Sequence, residues 1–175
     1  HGNPDSLKVV DPVMGDNGKP YSTYTPELIR RMKELVDAAD VITPNLTETC
    51  MLLGEECPPV MSVAQARSWL ARLSDKPGIV VIKGVPLIDD DGQKLSNVGF
   101  DRESGSFWRI DWDHIPVHYP GTGDIFTSVL TASLLKGESL PIALNRATTF
   151  TEIAVKTTYS YGTEPRLGVL FEDCL

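Results

Sequence analysis

Patterns typical of strands and of helices alternate through the first half of this chain. Apolar, β-branched runs typical of buried strands occupy residues 7–10, 41–43 and 79–82. Helical spacing of apolar residues follows Thr25-Pro26 and the capping pattern Ser62–Gln65, and a brief helix is expected to stop at Gly54. A strand–helix–strand series of this kind implies a parallel sheet with helices packed on its faces.

The second half of the chain begins with a different pattern. Residues 85–115 show short alternating segments with turns at Asp91-Gly92 and Ser104-Gly105, which predicts an antiparallel meander. Helices are then predicted over residues 125–135 and from Ser139 toward Tyr159. We therefore expect an α/β fold: an open, mainly parallel sheet with helices on both faces and a short antiparallel edge. With 175 residues and 41% hydrophobic content, one domain over residues 1–175 is the expectation.

Charge and cysteine content narrow the function classes. The formal net charge is −8 and no basic run is present, so nucleic acid and membrane surfaces are not expected as partners. The three cysteines form no C-x-x-C pair, which favours reduced thiols over a disulfide framework or a zinc site. No segment reaches the roughly 18 apolar residues of a membrane span, and a cytoplasmic protein is expected.

Polar residues follow the predicted parallel strands at the points where those strands end. These residues are Asp11, Thr43, Asn45 and Lys83. Because ligands of open α/β sheets bind beyond the carboxyl ends of the strands, the joint placement of these residues indicates a binding site. Random polar residues also end strands, so no one of these residues indicates a site when taken singly, and a solvated strand-end lysine is an equally good interpretation of Lys83.

The tetrapeptide Gly121-Thr122-Gly123-Asp124 leads directly into a predicted helix. Its glycines allow backbone amides to turn toward an anion at the positive end of the helix, which suits a phosphoryl group in transfer. Asp124 would lie in the first turn, where its carboxylate could accept a proton from a substrate hydroxyl. The alternative is a plain helix cap.

Carboxylates near the first two strand ends suggest a hard cation. Asp11 and Asp16 follow the first strand, and Glu48 follows the second; oxygen ligands of this kind suit Mg²⁺. Asp16-Asn17-Gly18 is also typical of a tight turn, as is Asp89-Asp90-Asp91-Gly92, and neither has the spacing of a calcium-binding EF-hand. His114 and His118 lie in a proline-broken segment that should not present them on one helix face.

Several nucleotide-binding and hydrolase motifs are missing from the sequence. It contains no G-x-x-x-x-G-K-[ST] loop, no G-x-G-x-x-G fingerprint and no G-x-S-x-G elbow. The chain instead resembles the ribokinase-like kinases, and within them the vitamin B6 kinases. Four segments carry this resemblance: residues 11–16 (DPVMGD), 42–48 (ITPNLTE), 80–84 (VVIKG) and 121–126 (GTGDIF).

The resemblance implies roles for particular residues. It makes Asp124 the catalytic base and Gly121, Thr122 and Gly123 an anion hole. It implies that Asp11 and Glu48 organise Mg²⁺, mostly through water, and that Thr43 and Asp11 help hold a monovalent cation such as K⁺. The residues expected to line the ATP phosphates are Asp16, Tyr21, Thr43, Asn45 and Lys83.

The resemblance further implies an ATP-dependent kinase acting on pyridoxal, pyridoxine or pyridoxamine, and a homodimer. Lys83 departs from this pattern, because pyridoxal kinases often have Thr there and hydroxymethylpyrimidine kinases commonly have Lys. A hydroxymethylpyrimidine kinase is therefore one alternative, and a non-catalytic nucleotide-binding module is another. Because the family's segments that grip the pyridine ring precede the position of Asp11, the chain is expected to be the C-terminal, ATP-side portion, weakly active or inactive alone.

Overall fold

The computed structural model describes residues 6–174, and the chain divides into two compact units, His1–Arg109 and Ile110–Leu175. Whether the two units act as the single domain expected over residues 1–175 stays a prediction. The strands are β1 (Val9–Val10), β2 (Gly15–Asp16), β3 (Lys19–Pro20), β4 (Val41–Ile42), β5 (Met61–Ser62), β6 (Ile79–Asp89), β7 (Gly92–Asp101) and β8 (Ser106–Trp112). The helices are α1 (Pro26–Asp37), α2 (Leu46–Leu53), α3 (Val63–Leu73), α4 (Thr122–Leu135) and α5 (Leu140–Tyr161).

The main sheet combines parallel and antiparallel pairing. Its strand order is β1-β4-β6-β7-β8, with β5 beside β6, while β2 and β3 form a separate antiparallel pair. β1, β4 and the start of β6 run parallel, which confirms the predicted parallel core of the sheet. The antiparallel part is larger than expected, because β6 continues past the anticipated strand end and pairs with β7 as far as Asp89.

Local caps explain where the helices of the first unit begin and end. The hydroxyl of Thr25 accepts a hydrogen bond from the Leu28 amide, and that of Ser62 accepts one from the Gln65 amide. Gly54 ends α2 in the left-handed conformation, with φ 70°, as its position after Leu53 predicts. These caps confirm the helix starts and the stop expected from the sequence.

The hydrophobic core of the first unit forms where α2 and α3 pack against β6. Fully buried or nearly buried side chains fill it, among them Met61, Trp69, Leu70, Val80, Ile82, Val85 and Leu87. α2 begins at Leu46, shortly after β4 ends at Ile42. The packing therefore holds the strand ends in fixed positions relative to α2.

The second unit contains α4 and α5, which pack against each other. α4 begins at Thr122, three residues before the predicted start, because Gly121 takes the N-cap position with φ 88°. α5 begins after Ser139, as predicted, and ends at Gly162. Within residues 6–174, no helix is long and apolar enough to cross a membrane.

The cysteines correct one expectation. The structure joins Cys50 to Cys57 as a disulfide, with Cα atoms 5.6 Å apart, and leaves Cys174 free. Absence of a C-x-x-C motif was a poor guide, because Gly54 turns the chain after α2 and brings Cys57 back to that helix. The expectation of three reduced thiols is therefore wrong for this pair.

Candidate active site

Three predicted residues meet at the carboxyl end of β1 and β4. Asp11 Oδ1 accepts a hydrogen bond from the Thr43 hydroxyl at 3.1 Å and one from Lys83 Nζ at 2.7 Å. The Lys83 and Asp11 side chains are only 13% and 14% exposed, so water screens this ion pair less than a surface pair. The arrangement places a cation and a carboxylate together at the edge where the sequence predicted a ligand.

Lys83 reaches this edge although β6 does not end there. Its amide donates to the Pro44 carbonyl at 2.8 Å, and Lys83 forms an isolated parallel bridge with Asn45. After Lys83, β6 no longer pairs with β4 and instead pairs with β5 at Leu87 and Ile88. Lys83 therefore lies at the carboxyl edge of β4 from the middle of a longer strand.

Glu48 is held at the start of α2 by a capping box. The Asn45 side chain accepts from the Glu48 amide at 2.8 Å, and Glu48 Oε2 accepts from the Asn45 amide at 2.7 Å. Glu48 Oε1 also accepts from the Met14 amide at 3.2 Å. Although Glu48 is only 3% exposed, its carboxylate is satisfied by backbone donors.

Burial dominates the acidity of Glu48. Loss of solvent raises the pKa of Glu48 to about 7, while the Asn45 amide and the positive charge of Lys83 act in the opposite direction. The negative charge of Asp11 adds to the rise in pKa. A cation arriving beside Asp11 and Glu48 would favour the ionised carboxylate, which is the form that a metal ion prefers.

The β2–β3 hairpin is fastened to the same end of α2. Asn45 Nδ2 donates to the Gly15 carbonyl at 2.8 Å, and the Gly18 amide donates to Thr47 Oγ1 at 2.9 Å. Asn17 and Gly18 both have positive φ, 51° and 74°, which confirms the tight turn that the sequence indicated. The hairpin is thereby positioned by the helix end that carries Glu48.

Asp16 and Tyr21 lie in and beside this hairpin. Asp16 accepts hydrogen bonds from the Asn17 amide and side chain, at 2.8 and 3.2 Å. The Tyr21 amide donates to the Met14 carbonyl at 2.9 Å, and the Tyr21 residue is 43% exposed. Both side chains therefore belong to a structured segment anchored on α2.

The Gly121–Asp124 turn belongs to the second unit. Gly121 is the N-cap of α4 and, lacking a side chain, makes no capping hydrogen bond, while Asp124 lies exposed in the first helical turn. The Thr122 hydroxyl donates to the Tyr119 carbonyl at 3.3 Å. The open amides at this helix start, together with a carboxylate in the first turn, can bind an anion and accept a proton.

Two residues that support the site were not singled out from the sequence. Met14, fully buried, donates its amide to Glu48, and Thr47 accepts from the Gly18 amide. The Asn-x-x-Glu spacing could have revealed the capping box, but no sequence signal marks the contacts of Met14 or Thr47. His114 and His118 lie in the segment between β8 and α4, which has no helix, as predicted.

Comparison with known proteins places these features in a family. The family model described as phosphomethylpyrimidine kinase matches residues 4–167. Pyridoxal kinase PdxY of Rubrobacter xylanophilus is 32% identical over 146 residues, covering 82% of this chain and 48% of that protein. Hydroxymethylpyrimidine/phosphomethylpyrimidine kinase of Haemophilus influenzae is 29% identical over 159 residues, covering 91% of this chain and 58% of that protein.

A solved structure agrees with the sequence matches. A crystal structure from Bacteroides thetaiotaomicron, described as a phosphomethylpyrimidine kinase in a form with pyridoxal, has a TM-score of 0.90 and 43% sequence identity. The match covers 98% of this chain and 60% of that chain. The present chain thus spans about half the length of the two curated relatives.

Proposed function

The chain belongs to the phosphomethylpyrimidine kinase family, and from that premise we propose that it forms the ATP-binding and catalytic part of a vitamin B6 kinase. The reaction would transfer the γ-phosphoryl group of ATP to the primary alcohol of pyridoxal, pyridoxine or pyridoxamine. The observation that carries the ATP-binding part of this proposal is the Lys83–Asp11 pair with Thr43 at the carboxyl edge of the sheet. A homodimer, implied by the family resemblance, is part of the proposal.

The first unit supplies groups suited to the ATP phosphates. Lys83 offers a cationic ammonium, and Asn45 is fixed at a helix start by three hydrogen bonds. Asp16, Thr43 and Tyr21 complete the set proposed to line the phosphates. Since the chain is acidic overall, focused groups of this kind must handle a polyanion.

The carboxylates fit a magnesium ion bound largely through water. Within residues 6–174, no three His, Cys, Asp or Glu side chains gather into a metal-binding group, which leaves Asp11 and Glu48 as a pair. One or two carboxylates, with water and phosphate oxygens, is the usual protein environment of Mg²⁺. Bound there, Mg²⁺ would neutralise phosphate charge. Thr43 and Asp11 are the oxygen donors proposed for a monovalent cation such as K⁺.

Asp124 and the amides of Gly121, Thr122 and Gly123 are proposed to act on the transferring group. The Asp124 carboxylate would accept the proton of the substrate hydroxyl as that oxygen attacks the γ-phosphorus. The amides at the start of α4 would stabilise the charge on the phosphoryl oxygens. The exposure of Asp124 and the uncapped start of α4 support these roles.

Two classes of acceptor fit the proposed reaction, the B6 vitamers and hydroxymethylpyrimidine or its phosphate. The pyridoxal kinase relative and the pyridoxal in the Bacteroides thetaiotaomicron crystal favour a B6 vitamer. The Haemophilus influenzae relative, together with Lys83, favours hydroxymethylpyrimidine or its phosphate. Pyridoxal and hydroxymethylpyrimidine both present a primary alcohol on a heteroaromatic ring, so Asp124 would accept the same hydroxyl proton with either. Hydroxymethylpyrimidine phosphate would instead accept the phosphoryl group on a phosphate oxygen, which has no alcohol proton to lose.

Parallel kinase assays test the acceptor. The protein as its gene encodes it is given MgATP with pyridoxal, pyridoxine, pyridoxamine or hydroxymethylpyrimidine, and ADP release is measured for each. We expect kcat/KM for at least one B6 vitamer to exceed that for the pyrimidine by about tenfold or more, the lower end of the discrimination that one extra or missing methylene gives in a pocket. The reverse order would assign the pyrimidine reaction. MgATP binding without turnover on any of the four acceptors would favour a non-catalytic nucleotide-binding role.

A further inference from the structure

β6 carries an irregularity at the residue that reaches the site. Ile82 pairs with Val98 and Val85 pairs with Ser96, so Lys83 and Gly84 together face the single residue Asn97 of β7. Two residues opposite one define a β-bulge. We call residues 82–85, with Asn97 opposite, the β6 bulge.

The core confirms that the β6 bulge changes the alternation of the strand. Before the bulge the side chains in the core are those of Val80 and Ile82, and after it those of Val85 and Leu87. In an unbroken strand, side chains two apart share a face, so the shift from even to odd numbers requires one extra residue. The bulge therefore allows β6 to place side chains in the hydrophobic core both before and after Lys83.

Asn97 holds the bulge through its side chain. Gly84 adopts φ 65°, a left-handed conformation that glycine tolerates best, and its amide donates to Asn97 Oδ1 at 2.9 Å. Asn97 is only 6% exposed. Since a bulge removes an amide from the regular ladder, a buried acceptor at this point satisfies a donor that would otherwise be costly.

The backbone of Lys83 is consequently fixed on both sides. Its own amide is bound to the Pro44 carbonyl, and the next amide is bound to Asn97. Lysine has a flexible four-carbon stem, so the position of its ammonium depends strongly on where the backbone starts it. Here the ammonium lies 2.7 Å from Asp11 Oδ1.

We propose that Asn97 is a positioning residue: by holding the Gly84 amide it sets the β6 bulge and directs the Lys83 ammonium to Asp11 and to a phosphate of the nucleotide. The nucleotide part of this inference rests on the proposed function. The positioning of Lys83 beside Asp11 does not, because it concerns the protein without ligand. Asn97 contacts the Gly84 amide and acts on the nucleotide only through Lys83.

The first experiment tests the positioning without nucleotide. Amide hydrogen exchange of Gly84, measured by NMR, is compared in the wild type, Asn97→Ala, Asn97→Asp and the control Ser96→Ala. Ser96 precedes Asn97 in β7 and is fully buried, but its hydroxyl oxygen accepts a hydrogen bond from Arg109 Nε, whereas the Gly84 amide donates to Asn97. We expect Asn97→Ala to exchange about tenfold faster at Gly84, and Asn97→Asp, which keeps an acceptor oxygen, to stay within about threefold of wild type. Unchanged exchange in Asn97→Ala would overturn the inference.

The second experiment is a double-mutant cycle on MgATP affinity, using Asn97→Ala and Lys83→Ala singly and together. We expect Asn97→Ala to weaken MgATP binding about tenfold in the wild-type background and less than twofold when Lys83 is already removed. Equal weakening in both backgrounds would show that Asn97 does not act through Lys83. If Asn97→Ala does not fold, Gly84 exchange in Asn97→Asp decides: near-normal exchange supports the role of the acceptor oxygen, and fast exchange rejects it. MgATP affinity is not used for this variant, because the added negative charge would itself repel the phosphates.

Failure of the proposed function would be visible separately. A wild-type protein that folds but binds no MgATP would remove the nucleotide part of the inference and the proposed kinase together. The Gly84 exchange rates would still decide whether Asn97 sets the bulge.

Discussion

Asp124 is the residue whose proposed role is most directly chemical. Replacing it with Asn keeps the size and removes the proton acceptor, so kcat should fall about 10²- to 10⁴-fold while MgATP affinity changes little. Asp90→Asn is the matched control, because Asp90 is an exposed carboxylate between β6 and β7. Steady-state assays with the preferred acceptor measure both variants. Turnover by Asp124→Asn equal to that of the control would reject Asp124 as the base.

Glu48 gives a pH dependence whose sign follows from its burial. Its pKa is raised from 4.5 to about 7 in the folded protein. Between these values the native state retains a proton that the unfolded chain releases, so the free energy of unfolding should fall as pH rises. The contribution of this one group is on the order of 3 kcal/mol across that range.

Glu48→Gln isolates this contribution because the amide does not titrate. Urea unfolding at several pH values between 4.5 and 7.5 should give a flatter pH profile for the variant than for the wild type. The slope is the relevant quantity, since Gln can offer only one oxygen to the Asn45 and Met14 amides, which shifts the stability of the variant without adding a pH dependence. Parallel profiles for the two proteins would contradict the raised pKa of Glu48.

Among single residues, the location of the polar residues that follow the predicted parallel strands could be predicted from the sequence. Asp11, Thr43 and Lys83 were expected at one edge, and the structure joins them by hydrogen bonds. Asn97 could not be predicted in the same way. Its importance depends on which residue lies across from Gly84, and cross-strand register is set by the whole sheet.

At the scale of elements, the β2–β3 hairpin depends on a glycine for close contact. A Cβ added at Gly15 would lie 2.4 Å from the Lys19 carbonyl oxygen, a backbone atom that cannot move aside cheaply. Gly15→Ala should therefore destabilise the protein by about 1–3 kcal/mol and weaken MgATP binding, because the hairpin is fastened to Asn45.

Gly78→Ala is the control for this hairpin prediction. A Cβ at Gly78 would meet only the Asp40 carbonyl oxygen at 3.7 Å, an ordinary contact. Thermal denaturation and calorimetric titration with MgATP compare the two variants. Equal stability of the two variants would show that the hairpin backbone yields to the added methyl group.

The Cys50–Cys57 disulfide, which joins α2 to the loop after it, predicts how many thiols react with an alkylating reagent. Under non-reducing conditions one thiol per chain, that of Cys174, should react with an alkylating reagent in urea, and three should react after reduction. Cys57→Ser should lower the free energy of unfolding by about 2 kcal/mol without reductant, the value that loop closure suggests for so short a loop. Cys174→Ser, which leaves the disulfide intact, is the control. Three reactive thiols before reduction would contradict the pairing.

Element boundaries were predictable where the signals are local. Thr25, Ser62 and Gly54 act through hydrogen bonds or backbone angles within a few residues, and all three end or begin helices as predicted. The length of β6 was not predictable, because Lys83-Gly84 is also typical of a strand end. Whether the chain continues as a strand there depends on β7 and Asn97, which follow later in the sequence.

At the scale of the whole molecule, the chain matches only part of the length of its relatives. The chain spans 48% of the Rubrobacter xylanophilus relative, yet it contains each residue proposed here for ATP, magnesium and proton transfer. We therefore expect the 175-residue polypeptide to bind MgATP but to phosphorylate pyridoxal at least about 100-fold more slowly than a full-length relative. The reason is that nucleotide and acceptor must be held together for the transfer to be fast.

Calorimetry and a coupled ADP assay on the same preparation separate these two properties. Lys83→Ala should weaken MgATP binding about 10- to 100-fold and leave it measurable. Such a loss ties binding to the Lys83–Asp11 pair, since a chain of net charge −8 does not attract a polyanion unspecifically. Turnover by the 175-residue polypeptide comparable to that of a full-length relative would reject the expected division between nucleotide and acceptor parts. Binding without turnover would support it, because the groups that position the acceptor would then have to come from outside these residues.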